Sequence, residues 1–255
     1  MTDMIPVAAA GRSFVGGRQA NEDRVVIAQR DTTWCLVVSD GAGGHAGGAI
    51  AAQTAVDRIV EGFHARPPDG AEDLSELLLD AHDAVLAAQQ VGAGSMHATV
   101  VALVIDAAAG LAFWGHVGDS RLYVLREGRV AGVTRDDSVV QWMVTSGYID
   151  AESAATHPQK NRLLAALGVE GDLHPSVSPA PRRLAAGDAF LLCTDGWWDL
   201  VEEAEIERAL ASAGSVEAWM DTMAGRVAQL ASPDHDNYSA IGCWIGDRHA
   251  AAPPR

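Results

Sequence analysis

Residues 21–45 read NEDRVVIAQRDTTWCLVVSDGAGGH, two valine-rich runs set between acidic residues. Arg24 to Gln29 and Thr33 to Ser39 have the length and composition of strands, and the short polar break between them predicts a β-hairpin. Asn21-Glu22-Asp23 runs directly into its first strand, and Asp40-Gly41-Ala42-Gly43-Gly44-His45 runs directly out of its second.

The pattern outward from this hairpin decides the fold. Gly48 to Phe63 places Ala52, Val56, Ile59, Val60 and Phe63 on one helical face. Arg66-Pro67-Pro68-Asp69-Gly70 ends that helix, and Leu74, Leu77, Leu78, Ala81 and Val85 mark a second amphipathic helix. Thr99 to Ile105 and Leu111 to Val117 are nearly continuous apolar runs, as strands covered on both faces require. Ser120 to Leu125 and Arg129 to Val133 form another hairpin around Glu127-Gly128. The stretch from residue 136 to about 175 turns polar, with short helices at Val139 to Val144 and Ala151 to Ala155. A strand at Ala189 to Cys193, helices at Glu203 to Ala211 and Val216 to Leu230, and a strand at Tyr238 to Ile245 complete the order.

Strands joined by short turns pair antiparallel, which disfavours a doubly wound parallel sheet. Strand sets followed by helix pairs, twice over, give an α+β fold: two antiparallel sheets packed together with helix pairs outside, a four-layer α-β-β-α sandwich. Residues 1–247 are expected to form one domain with a flap at about 136–175, and 248–255 a disordered tail.

The 255 residues are 48% hydrophobic, ample for a large core, and no apolar run is long enough to span a bilayer. Met1 to Gly11 lacks the pattern of a secretory signal. Cys35, Cys193 and Cys243 lie in apolar runs without CxxC spacing, which predicts buried reduced thiols and a cytoplasmic location. A net charge of -16 disfavours nucleic-acid binding. It is compatible with divalent cation sites, although acidity for solubility alone would look the same.

Chemistry is concentrated at strand ends. Besides the hairpin's two acidic segments, Gly118-Asp119-Ser120-Arg121 lies between strands, Thr194-Asp195-Gly196 ends one, and Asp236-Asn237 begins the last. Five such clusters can converge at one end of a sandwich, where oxygen-only ligands suit Mg²⁺ or Mn²⁺. Each alone reads first as a turn, since Asp-Gly is a common turn dipeptide. The glycines after Asp40 let the backbone approach an ion and expose the Gly41 carbonyl.

The ordered set resembles the PPM family, the type 2C metal-dependent serine/threonine protein phosphatases, over roughly residues 10–245. The resemblance rests on RQANED (18–23), DGAGGH (40–45), GSMHATVVA (94–102), VGDSR (117–121), LCTDG (192–196) and Asp236-Asn237. It implies that Glu22, Asp40 and the Gly41 carbonyl hold one metal, and that Asp40, Asp195 and Asp236 hold a second. Asp23 would act through bound water, and Asp119 would serve a weaker third ion or support the other ligands. Arg18 matches an arginine that grips the substrate phosphate, the alternative being a surface ion pair. The implied activity is hydrolysis of phosphoserine and phosphothreonine by a hydroxide bridging two Mn²⁺ or Mg²⁺ ions. The partners would be phosphorylated proteins and an opposing serine/threonine kinase, and the chain would be a monomer. A pseudophosphatase that only binds partners and a hydrolase of small phosphoesters are the competing readings.

Three departures from the family stand out. Some relatives have a histidine acid where this chain has Ala42, so protonation of the leaving group would fall to metal-bound water, with His45 a poorer candidate. Thr134-Arg135-Asp136-Asp137 replaces a usual Thr-x-Asp-His. Trp197-Trp198 follows Asp195-Gly196, one expected in the core and the other available for a phosphopeptide.

Overall fold

The computed structural model describes residues 4–43, 47–93 and 95–246. The expected tail at 248–255 and His45 lie outside these residues. The strands are β1 (Val7–Phe14), β2 (Arg24–Arg30), β3 (Thr33–Ser39), β4 (Gly41–Ala42), β5 (His97–Ala98), β6 (Val100–Asp106), β7 (Leu111–Val117), β8 (Arg121–Arg126), β9 (Arg129–Val133), β10 (Ser176–Val177), β11 (Arg182–Arg183), β12 (Ala189–Cys193) and β13 (Tyr238–Ile245). The helices are α1 (Gly47–Ala65), α2 (Ala71–Ala88), α3 (Val139–Thr145), α4 (Ala151–Ala155), α5 (Asp195–Trp198), α6 (Glu203–Ser212) and α7 (Val216–Leu230).

Two antiparallel sheets carry the fold. One has the order β1-β13-β12-β8-β9, the other β10-β7-β6-β3-β2 with β11 also on β7. Strand alternation sorts side chains into three apolar layers. Cys35 and Val37 of β3 face α1 and α2 with Ile59, Phe63, Leu74 and Leu78. Leu36 and Val38 face the other sheet, where Phe190, Leu192, Ile241 and Cys243 meet them. Leu191 and Cys193 of β12 turn outward to Trp219, Met220 and Met223 of α7. The α-β-β-α order is therefore the one the sequence predicts. All three cysteines are buried and free.

The two-residue strands β4, β5, β10 and β11 escape the sequence reading, and so does one long strand. Val7–Phe14, VAAAGRSF, pairs along its whole length with β13, Val7 opposite Ile245 and Phe14 opposite Tyr238. Its small residues give little periodic signal, and its partner lies at the far end of the chain. The segment taken for a strand end at Asp195 also differs: it opens the short helix α5. Among the described residues, no helix is long and apolar enough to cross a membrane.

Candidate active site

The sheets bring the acidic segments to one end of the sandwich. Glu22 and Asp23 precede β2 and Asp40 follows β3, both in one sheet; Asp195 follows β12 and Asp236 precedes β13, both in the other. Asp119 lies in the crossing from β7 to β8. Arg18, Glu22, Asp40, Gly41, Asp119, Asp195 and Asp236 line a single cavity of about 370 Å³. Asp23 stands behind it, 2% exposed.

Backbone anchors hold these groups. The Asp40 N–H donates to Thr99 Oγ1 at 3.1 Å, and the Thr99 N–H donates to the Asp40 carbonyl at 2.8 Å. Thr99 Oγ1 also shares a hydrogen bond of 2.7 Å with Ser120 Oγ, which ties the Asp40 loop to the segment carrying Asp119. Gly118 adopts φ of 99°, a conformation open to glycine, and its N–H donates to Asp137 Oδ2. Arg121 makes two bonds to Asp136, of 2.9 and 2.7 Å. The Asp136-Asp137 pair, whose second residue departs from the usual pattern, thus fixes the chain on both sides of Asp119.

Trp197 is the core tryptophan, with no exposed surface. Trp198 is half-buried: its Nε1 donates to the Asp119 carbonyl at 2.9 Å, and the Arg121 guanidinium lies 3.5 Å from its ring centroid. One face of the ring that the sequence offered to a phosphopeptide is therefore occupied by Arg121.

Asn237 does work that its place in the motif did not reveal. Its Oδ1 accepts from the Glu22 N–H at 2.8 Å, and its Nδ2 donates to the carbonyls of Val15 and Ala20 at 2.7 and 2.9 Å. This buried amide ties the segment carrying Arg18 and Glu22 to the start of β13. Asn237→Ala removes all three bonds and strands three backbone groups, so a loss of about 3 kcal/mol is expected. That corresponds to a fall of roughly 6–12 °C in Tm, read by thermal unfolding. An unchanged Tm would show that the segment is held by other contacts.

The electrostatics are those of crowded carboxylates. Burial first, then Asp195, raises the Asp23 pKa to about 7 against the help of Thr194 and Ser239. Burial, Asp195 and Asp136 raise Asp119 to about 8. Burial and Asp236 raise Asp195 to about 6, and burial with four neighbouring carboxylates drives Asp40 well above the usual range. Asp23 Oδ1 and Asp195 Oδ1 are buried without a hydrogen-bond partner. Arg18 is the one Arg or Lys side chain lining the cavity among the described residues, and its Nη2 donates to Asp236 Oδ2 at 2.7 Å. Two groups expected to hold phosphate and metal separately here hold each other.

These observations test the fit of divalent cations. Among the described residues, no three acidic or imidazole side chains are already closed into a cage. The donor set nevertheless suits hard cations, because partnerless oxygens and mutually repelling carboxylates need positive charge. A further feature lies at Gly48, where an added Cβ would sit 2.6 Å from both Glu22 Oε2 and the Gly41 carbonyl oxygen. Glycine at the start of α1 leaves those two oxygens a common space. The residues fit the ions.

Known proteins resemble this chain in sequence and in fold. The profile of the family described as protein phosphatase 2C matches residues 10–235. Serine/threonine protein phosphatase PstP of Mycobacterium tuberculosis is 34% identical over 199 residues, covering 76% of this chain and 36% of that protein, so the match spans little more than a third of the relative. Its crystal structure superposes with a TM-score of 0.84 at 29% identity, covering 95% of this chain and 100% of that one. Serine/threonine phosphatase stp of Listeria innocua is 32% identical over 203 residues, 76% of this chain and 79% of the relative. The catalytic domain of PstP in complex with two manganese ions superposes with a TM-score of 0.82 at 28% identity, covering 96% and 100%.

Proposed function

The chain belongs to the protein phosphatase 2C family, and from that premise we propose that it hydrolyses phosphoserine and phosphothreonine in proteins with two divalent cations. The observation that carries this reading is the single cavity into which both sheets deliver carboxylates, one oxygen of Asp195 among them having no hydrogen-bond partner. Glu22, Asp40 and the Gly41 carbonyl would hold one ion, and Asp40, Asp195 and Asp236 the other. Asp23 would act through water, and Asp119 would bind a weaker third ion or support the ligands. Oxygen donors suit Mn²⁺ and Mg²⁺ alike, and a relative holds two manganese ions. Bound there, such ions supply the Lewis acidity that activates water and neutralises phosphoryl charge.

The chain's own groups do the rest. Arg18 offers planar N–H donors to the phosphoryl oxygens, exchanging its hold on Asp236 for the substrate. Thr99 keeps Asp40 in place, and Asn237 keeps Glu22 and Arg18 in place. Asn161, Leu163 and Ala166 of the flap form a wall of the cavity, so the 136–175 segment governs which phosphorylated surfaces enter. The proposed setting is the cytoplasm, as a monomer, with a serine/threonine kinase supplying the substrates.

Chelation followed by return of Mn²⁺ tests the reading. Hydrolysis of a phosphothreonine peptide is expected to vanish with EDTA, return with Mn²⁺, and exceed that of small phosphoesters lacking a peptide. A protein that binds Mn²⁺ yet leaves every phosphate ester intact would overturn it.

A further inference from the structure

His97 occupies a place that the phosphatase reading has not used. It lies on β5, which pairs antiparallel with β4, the two residues directly after Asp40. The ladder sets Gly41 opposite Ala98 and Ala42 opposite His97. Ala42 has only a methyl group, so the polar side chain at this level of the ladder comes from the other strand. His97 lines the catalytic cavity together with Glu22, Asp40, Asp119, Asp195 and Asp236, and it is the one imidazole among the described residues that does. It also lines the neighbouring groove of Ser95, Gly168 and Glu170, so the residue forms part of the wall between the two.

The ring's hydrogen bonding assigns its proton. Nδ1 is buried with no partner, whereas Nε2 lies 3.1 Å from the exposed Ser95 hydroxyl. A buried N–H without an acceptor is rarer and more costly than an unused lone pair, so the neutral ring carries its hydrogen on Nε2. Nε2–H is then an oriented donor whose present acceptor is an exposed hydroxyl that water can satisfy. Exchanging that acceptor for a ligand oxygen is nearly neutral. Of the other polar lining groups, Thr99 is committed to Asp40 and Ser120, Asn237 to Glu22 and two carbonyls, and Arg18 to the phosphoryl group in the reading above. That leaves His97 and the flap's Asn161 as the neutral N–H donors, His97 alone of the two on the strand beside the Asp40 loop.

We propose that His97 is a catalytic residue that donates a hydrogen bond from Nε2 to the ester oxygen leaving phosphorus. This rests on the phosphatase reading of the same cavity. As a water oxygen bonds to phosphorus and the bond from phosphorus to the seryl or threonyl oxygen breaks, the electron pair of the broken bond collects on that oxygen. The fixed donor stabilises the developing charge, and the proton shed by the attacking water completes the alcohol through solvent. An alkyl oxygen is a far more basic leaving group than p-nitrophenolate. The donor therefore matters for phosphoserine and phosphothreonine and hardly at all for the activated aryl ester.

The test compares two substrates across His97→Ala, His97→Gln and His45→Ala, each loaded with Mn²⁺. His97→Ala is expected to lower kcat on a phosphothreonine peptide about 10²-fold, and on p-nitrophenyl phosphate less than about 3-fold. His97→Gln, which retains an N–H donor, is expected to recover at least about tenfold of the peptide loss. Mn²⁺ affinity by calorimetry and the Tm are expected to match the parent in all three. Equal losses on both substrates, a drop in Mn²⁺ affinity, or a peptide-selective loss in His45→Ala but not His97→Ala would each overturn the proposal. A parent protein that hydrolyses neither ester would instead overturn the phosphatase reading itself.

Discussion

Asp40→Asn is expected to lower Mn²⁺-dependent hydrolysis by at least about 10³-fold while raising the Tm of the metal-free protein. Both effects come from one charge. Asp40 is the proposed ligand common to both ions, and losing several kcal/mol of charge stabilisation corresponds to about 10³-fold in rate. Without ions the same carboxylate is a liability, because burial and Asp23, Asp195, Asp119 and Asp236 all oppose its ionisation. Asparagine keeps the shape and removes the repulsion. The backbone stays in place, since Thr99 holds it through both its N–H and its hydroxyl. Sites built for chemistry commonly sacrifice stability in this way. The measurements are a phosphatase assay with Mn²⁺ and thermal unfolding in EDTA at pH 8. If activity and stability fell together, Asp40 would be a structural residue.

The second large effect is on pH. The metal-free protein is expected to become less stable as pH rises from about 4 to about 8. Asp195, Asp23 and Asp119 have folded pKa values of about 6, 7 and 8, against about 3.9 in an unfolded chain. Between those limits the folded state binds more protons than the unfolded one, so stability falls as pH rises. Below about pH 4 both states are protonated and the slope vanishes. A combined loss of about 2 kcal/mol or more, roughly 4–8 °C in Tm, is expected across the window. Saturating Mn²⁺ is expected to stabilise most at pH 8, where the carboxylates are ionised and ready to bind it. A Tm in EDTA that rose steadily with pH would mean the acids are already compensated within the chain.

Much of this was legible in the sequence because it is local. Alternating and continuous apolar runs marked β2, β3, β6, β7, β12 and β13, and the glycines after Asp40 marked a backbone built for close approach. What escaped depends on distant partners. β1 has a weak pattern of its own and exists because β13 offers it an edge. Asn237 reads as the residue after an acid, yet its amide gathers three backbone groups more than 200 residues away. Asp137 reads as a departure from a motif that Asp136 keeps; only the fold shows the two tying down Gly118 and Arg121. His97 had no role of its own within GSMHATVVA until the ladder set it opposite Ala42. Short-range periodicity cannot express such pairings, because their partners are chosen by topology.

The division of the acids between the sheets has a mechanical consequence. The faces that meet between the sheets are lined by Leu36, Val38, Leu103, Phe190, Leu192 and Ile241, aliphatic and aromatic groups without directional bonds. Such a joint resists separation better than it resists sliding. Asp40 belongs to one slab, and Asp195 and Asp236 to the other. An ion shared by them would act as a pin through the edge of a laminate, blocking shear that the greasy layer alone would permit.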